Sequence, residues 1–246
     1  MKWIRVAHTG YGLVIFSILF FLAFPVLLIP IFFPQKFRLV GIINRWWART
    51  LFFFLFIRCE VVFSKKIDRK TTYIFCPNHF SYLDIPTLGL NPANAIFVGK
   101  NDMEKIPLFG FMYRKLHITV NRSSIKSRGV TLMRSLEALE ARKSLVIYPE
   151  GGIISSKPPH MSEFKDGAFR AAIEKKTAIV PVTIPHNWKR LPDVPWPVLH
   201  AGRVKIIFHD PIESTSYTIE DMAALKSKVF NVIQEELKKH YPSYFP

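Results

Sequence analysis

Cysteine is nearly missing from this 246-residue chain: Cys59 and Cys76 are the only two, and neither belongs to a metal-type spacing. That excludes a disulfide framework and makes a reducing compartment the natural setting for the part outside lipid. Acidic residues are also scarce, 18 Asp and Glu against 34 Lys and Arg, for a formal charge of +16. The surplus favours an anionic partner: nucleic acid, acidic lipid headgroups or a phosphorylated substrate. No finger, basic zipper or RNA-recognition pattern accompanies the charge, so nucleic acid is set aside. The chain has no internal repeat, no low-complexity linker and no Ser or Cys nucleophile motif.

What the chain does have is apolar length near its start. Tyr11 to Phe33 carries no charge and is long enough to reach across a bilayer. Pro25 and Pro30 predict a break, so that its second half bends or lies shallow. A second apolar block, Trp46 to Ile57, is too short to span and holds Arg49 and a tryptophan pair suited to a membrane interface. Basic residues flank both blocks (Lys2, Arg5, Lys36, Arg38, Arg45, Arg58, Lys65 and Lys66), which leaves the positive-inside bias without a direction. The apolar length, with no small-residue cleavage pattern after it, argues against a signal peptide. A single-pass anchor and a helical hairpin dipping into one leaflet remain. The hairpin is preferred, because all the flanking charge then faces headgroups on one side. Residues 1–58 thus read as a membrane-associated helical segment and 59–246 as a domain facing the cytoplasm.

From about residue 60 the pattern alternates. Short apolar runs suited to strands occur at Glu60 to Phe63, Tyr73 to Cys76, Ala95 to Val98, Ile118 to Val120, Ser144 to Tyr148, Ala178 to Thr183 and Val204 to Phe208. Helical spacing falls at about 84–90, 104–114, 126–142, 165–175 and 220–240. In the last of these Met222, Leu225, Val229, Ile233 and Leu237 form an apolar stripe for packing on the domain. The Pro-rich piece Pro185 to Pro197 reads as an extended loop. The fold class is α/β, with a mixed, largely buried sheet flanked by helices and preceded by the membrane-associated helical hairpin.

Chemistry concentrates in the stretch Cys76 to Asp84, where a strand gives way to a helix. His79 and Asp84 face each other across that turn. A neutral imidazole can take a proton on one nitrogen, while a carboxylate on the other fixes its tautomer and stabilises the imidazolium. The same spacing fits a plain helix cap, with Ser81 at the cap and Asp84 in the first turn. Lys100 and Arg122 each follow a strand end. They either point to the sheet edge where ligands of α/β folds gather or are solvated surface charges. In Tyr148-Pro149-Glu150-Gly151-Gly152 a strand ends, a carboxylate follows, and two glycines let backbone N–H groups approach an anion or a developing oxyanion. A simple turn has the same sequence. Lys165 stands at an expected helix start, where the dipole disfavours a cation, which suggests an anionic ligand nearby.

Taken in order, these blocks resemble the glycerolipid acyltransferase family, the PlsC-like 1-acylglycerol-3-phosphate O-acyltransferases. Asn78-His79 with Ser81 and Asp84 matches the family's His-x4-Asp motif. Lys100 to Pro107 and Gly110 to Arg122 look like its acceptor-binding segment, and Glu150-Gly151 matches the first half of its Glu-Gly-Thr-Arg block. Phe164-Lys165-x-Gly167-Ala168 and Val180-Pro181-Val182 match the pattern downstream. The resemblance covers roughly residues 60–210, and the helical pair before it is similar to that of bacterial members. It implies transfer of a fatty acyl group from acyl-CoA or acyl carrier protein to a lysolipid hydroxyl, first of all 1-acylglycerol-3-phosphate, giving phosphatidate. His79 would be the base and Asp84 its orienter. Lys100, Arg122 and Lys165 would seat an anionic headgroup, and Glu150 would order its loop while Gly151 and Gly152 lend backbone donors. Asn78 and Ser81 complete the substrate-binding set. No metal or redox cofactor is implied, and the partners are membrane lipids and the thioester co-substrate. Gly152-Ile153 stands where the family usually has Thr-Arg, and Leu116 where a glycine is common. A non-phosphate acceptor such as a bacterial lyso-aminolipid therefore also fits. The alternative of another class is a basic lipid-binding protein without catalysis.

Overall fold

The computed structural model describes residues 2–121 and 124–245. Its first element, α1 (Lys2–Phe32), runs unbroken through Pro25 and Pro30. This differs from the break that two prolines predict, each of which removes a helical hydrogen bond and crowds the preceding turn at about 3 kcal/mol. Packing opposes that cost. Phe20, Ala23 and Leu27, on either side of Pro25, are buried in one cluster with Val40, Ile43, Met112 and Leu116. A short turn at Pro34–Lys36 leads into α2 (Arg38–Phe54). Leu19 shares a cluster with Leu51 and Phe52, and Leu27 with Val40, so α2 returns along α1 as a hairpin.

The remaining chain builds β1 (Ile57–Phe63), β2 (Ile74–Pro77), α3 (Asp84–Leu88), β3 (Ala95–Lys100), α4 (Phe109–Leu116), β4 (Ile118–Val120), α5 (Ile125–Glu140), β5 (Ser144–Ile147), α6 (Gly167–Glu174), β6 (Ile179–Thr183), α7 (Asn187–Arg190), β7 (Gly202–Phe208) and α8 (Met222–His240). The strands form one seven-stranded sheet in the order β1-β7-β6-β2-β5-β3-β4. Neighbours pair parallel except β6 with β7, which makes the sheet mixed.

Side chains alternate across the central strands because a strand has a period of two. Ile74, Leu145 and Ile179 enter one core, and Phe75, Val146 and Val180 enter the other. The first core is closed by α5, α6 and α8, the last through its expected stripe of Leu225, Val229, Ile233 and Leu237. The hairpin packs into the same body, since Leu51 and Phe52 are clustered with Ile57, Leu83 and Val204. The Pro-rich segment after β6 is not extended throughout. It contains α7, whose Trp188 ring lies 5.7 Å from that of Tyr241, while Trp196 stands exposed.

The parallel direction of β2, β5, β3 and β4 brings their carboxyl ends to one edge of the sheet. His79, Tyr148, Lys100 and Asn121 lie at or just past those ends. The sheet depends on its apolar layers, and Phe169 of α6 is wholly buried in the first of them. Phe169→Ala is expected to lower unfolding free energy by about 3–5 kcal/mol, read as a drop in denaturant midpoint in detergent solution.

Candidate active site

The turn between β2 and α3 is folded around one carboxylate. Asp84 is fully buried, and its Oδ2 accepts from Phe80 N–H at 2.8 Å, Ser81 N–H at 2.9 Å and the His79 ring at 3.0 Å. A carboxylate only accepts, so His79 Nδ1 carries a proton toward Asp84, and in the neutral ring Nε2 then holds the lone pair. The oxygen that ties down the turn is also the one that contacts the imidazole, so the two readings of this motif do not exclude each other. Ser81 does not cap α3, whose N-cap is Leu83 without a side-chain bond; its hydroxyl instead closes the turn ahead of the helix, accepting from Leu83 N–H at 3.1 Å. The same hydroxyl donates to Leu191 O at 2.7 Å. Asn78 is clamped on both sides of its amide to the backbone of Ile184, at 2.7 and 3.0 Å. Asn78 and Ser81 thus fasten the loop that follows β6 to the loop that carries His79.

Glu150 provides the second fastening. One of its oxygens accepts from His79 N–H at 2.7 Å and the other from Ser162 N–H at 2.8 Å, so the carboxyl bridges two loops. Burial, opposed by these two bonds and aided by the nearby Asp84 charge, pushes its pKa up to about 7. Tyr148, which motif reading passes over, stacks on the His79 ring at 3.9 Å and 23°. Its hydroxyl is buried with no hydrogen-bond partner among the described residues, and burial first, then Asp84, raises its pKa well above the usual value. The available sign of its involvement is its place at the end of β5, the strand beside β2. Ser162 and Leu191 contribute backbone atoms only, and no side-chain pattern could have flagged them.

The remaining motif residues are arranged less tightly. Lys100 ends β3, half-exposed, and forms an ion pair with Asp102. Arg122 lies outside the described residues. Lys165 precedes α6 rather than starting it. Its N–H donates to Pro149 O at 2.7 Å, and its exposed side chain passes beside Gly151. Gly151 adopts φ +85°, a conformation that favours glycine, and its N–H closes a turn onto Tyr148 O at 3.1 Å. That leaves Gly152 N–H, without a partner among the described residues, as the free donor of the pair. Ile153 is half-buried next to it. The buried Cys76 thiol, pushed above its ordinary pKa by desolvation, has no nucleophilic character.

The arrangement is an imidazole stacked on an aromatic ring, bonded through Nδ1 to a buried carboxylate and held in main-chain position by a second carboxyl, a geometry able to accept a proton at Nε2. Glu150 generates a pH test. A carboxyl whose folded pKa lies above its unfolded value stabilises fully below the unfolded pKa, and that contribution is lost as pH rises through the folded one. The stability advantage of wild type over Glu150→Gln is expected to shrink from about pH 4.5 to about pH 7. Melting temperatures of both proteins across that range check it, and an advantage that grows with pH would contradict it.

Comparison with known proteins bears on the family. The profile of the family described as Acyltransferase matches residues 58–185, more than half of the chain. A chloroplast 1-acyl-sn-glycerol-3-phosphate acyltransferase of Arabidopsis thaliana is 27% identical over 75% of this chain, which spans only 52% of that protein's length. The 1-acyl-sn-glycerol-3-phosphate acyltransferase of Haemophilus influenzae is 28% identical over 81% of this chain and 85% of its own. A lyso-ornithine lipid O-acyltransferase of Rhizobium meliloti is 28% identical over 70% of this chain and 56% of its own. In fold, the chain matches the crystal structure of PlsC, the 1-acyl-sn-glycerophosphate acyltransferase of Thermotoga maritima. The TM-score is 0.77 at 20% identity, over 96% of this chain and 97% of that one. The mixed sheet, the dyad at its carboxyl edge and the profile match together make this chain a member of the Acyltransferase family.

Proposed function

We propose that this chain transfers a fatty acyl group from an acyl thioester, of CoA or acyl carrier protein, to the free hydroxyl of 1-acylglycerol-3-phosphate, giving phosphatidate. The observation that carries the reading is the His79–Asp84 contact at 3.0 Å at the carboxyl edge of the sheet. The acceptor hydroxyl gives its proton to His79 Nε2 as its oxygen attacks the thioester carbonyl carbon. Asp84 stabilises the imidazolium that forms. Collapse of the tetrahedral oxyanion breaks the C–S bond, and the leaving sulfur takes the proton from His79. The products are an ester and a thiol, with His79 neutral again. Gly152 N–H is the backbone donor offered to the oxyanion, and Lys100, Arg122 and Lys165 are the cations assigned to the headgroup. The reaction balances with the thioester as sole co-substrate, so no metal or redox cofactor is invoked.

A second acceptor class is favoured by one observation. The half-buried Ile153 follows Gly152 where a Thr-Arg pair is usual in relatives, and an isoleucine makes no bidentate bond to phosphate. Relatives that include lyso-ornithine lipid O-acyltransferases fit an acceptor without a terminal phosphate.

The reading places the chain on a membrane with its α/β part on the cytoplasmic side. The stretch Arg5–Phe32 is long and apolar enough to cross a bilayer. Yet α1 is packed along its length on α2 and α4 through Leu19, Phe20, Ala23 and Leu27, while Val14, Ile18, Phe21, Val26, Ile29 and Phe32 form an exposed stripe on it. A crossing would strip the packed face, whereas lying in one leaflet covers the exposed one.

The test offers detergent-solubilised protein a labelled acyl thioester with lysophosphatidate or lyso-ornithine lipid. Lysophosphatidate is expected to turn over in the wild type and to be inert with His79→Ala. Asp84→Asn is expected to lose about 10³–10⁴-fold in turnover through loss of the correct tautomer. Turnover confined to the ornithine lipid would move the acceptor to the second class. Full activity in His79→Ala would remove the acyl-transfer mechanism altogether.

A further inference from the structure

At the opposite edge of the sheet from His79 lies a cavity of about 350 Å³. Ile96 and Ile118, near the amino ends of β3 and β4, form its floor, and Lys143 stands just before β5. From Lys143 to Tyr148, whose ring stacks on His79, the extended chain covers roughly 16 Å, which sets the cavity well apart from the dyad.

Two kinds of wall meet there. One is cationic: Lys115, Arg134 and Lys143 line the cavity, and none of them has a carboxylate partner among the described residues. His117 adds a donor. Its Nδ1 accepts from Phe97 N–H at 3.3 Å, which puts the ring proton on Nε2. Burial holds this imidazole neutral by lowering its pKa to about 4. Opposing charge comes from Glu137 and from the carbonyl ends of α4 and α5, each worth about half a charge. Three cations outweigh that opposition. The other wall is apolar and belongs to the hairpin: Ile31 lies in the last turn of α1, and Pro34 and Phe37 belong to the turn into α2. Phe32, which ends α1, and Phe33, which follows it, are exposed. Lys143 Nζ sits 4.8 Å above the Phe37 ring, joining the two walls.

We propose that this cavity binds the phosphate of an anionic phospholipid, whose acyl chains run beside the apolar hairpin turn. The inference rests on the membrane reading of α1 and α2. It adds a lipid site remote from the reacting atoms. A phosphate diester is the matching chemistry, because three cations lining one cavity and a neutral imidazole beside them suit its unprotonated oxygens. The apolar wall favours a lipid over a free anion, since it would otherwise face water.

The test compares binding of the full chain to phosphatidylcholine vesicles with and without phosphatidylglycerol. Lys115→Gln with Arg134→Gln, both exposed, removes two cavity cations without touching the core. Lys65→Gln with Lys70→Gln makes the same change of net charge away from the cavity. Wild type is expected to prefer the anionic vesicles. The cavity pair should lose that preference by roughly 25-fold, at about five-fold per cation, and the control pair should keep most of it. Glu137→Gln should raise it. Equal losses in the two pairs would overturn the site in favour of diffuse surface attraction. Displacement of the wild type by millimolar inorganic phosphate, with the cavity pair insensitive, would overturn the lipid in favour of a free anion. Wild type that binds both vesicles equally overturns this proposal alone, whereas wild type that binds neither overturns the membrane reading with it.

Discussion

A single buried oxygen, Oδ2 of Asp84, is what the turn after β2 depends on. It accepts from two main-chain N–H groups and one imidazole. A carboxylate removed from water is costly unless its lone pairs are filled; here all the donors converge on Oδ2, while Oδ1 is buried with no partner among the described residues, and the converging donors define a conformation. The Phe80 and Ser81 amides can reach it only if the chain curls back on itself. Once curled, the chain has one place for the His79 ring. Local folding and the placement of the imidazole are therefore the same event.

Around that turn the neighbouring loops are tied by side chains bonding to main chain rather than to each other. Asn78 holds Ile184, Ser81 holds Leu191, and Glu150 holds His79 and Ser162. Backbone has little freedom to drift, so such ties locate loops more firmly than pairs of flexible side chains would. Glu150 is the sensitive member, because the Asp84 charge disfavours a second anion nearby.

Much of this was legible in the chain. The strands announced themselves as short apolar runs because parallel strands under helices are buried on both faces, and Leu225 to Leu237 showed its stripe because α8 has one buried face. His79, Asp84, Glu150 and the glycines were legible as motifs set at strand ends. What was hidden depended on distant partners. The persistence of α1 through Pro25 and Pro30 comes from packing on Val40 and Met112, and a local propensity has no view of either. Tyr148 stacks on His79 across a separation of 69 residues that only the β2–β5 pairing closes. Leu191 and Ser162 enter through carbonyl and amide groups, which every residue possesses and which no motif can mark.

Under the proposed function, the exposed stripe along α1 would have a kinetic meaning. An enzyme resting lengthwise on a leaflet shares a plane with its lipid acceptor, so encounters become a search in two dimensions rather than three. The quantity that governs its rate is then the mole fraction of acceptor in the surface, and diluting the suspension with buffer changes little. Diluting the surface with inert lipid slows it. The thioester proposed as co-substrate would arrive from water and obey bulk concentration, so the two substrates of that reaction would be counted on different scales.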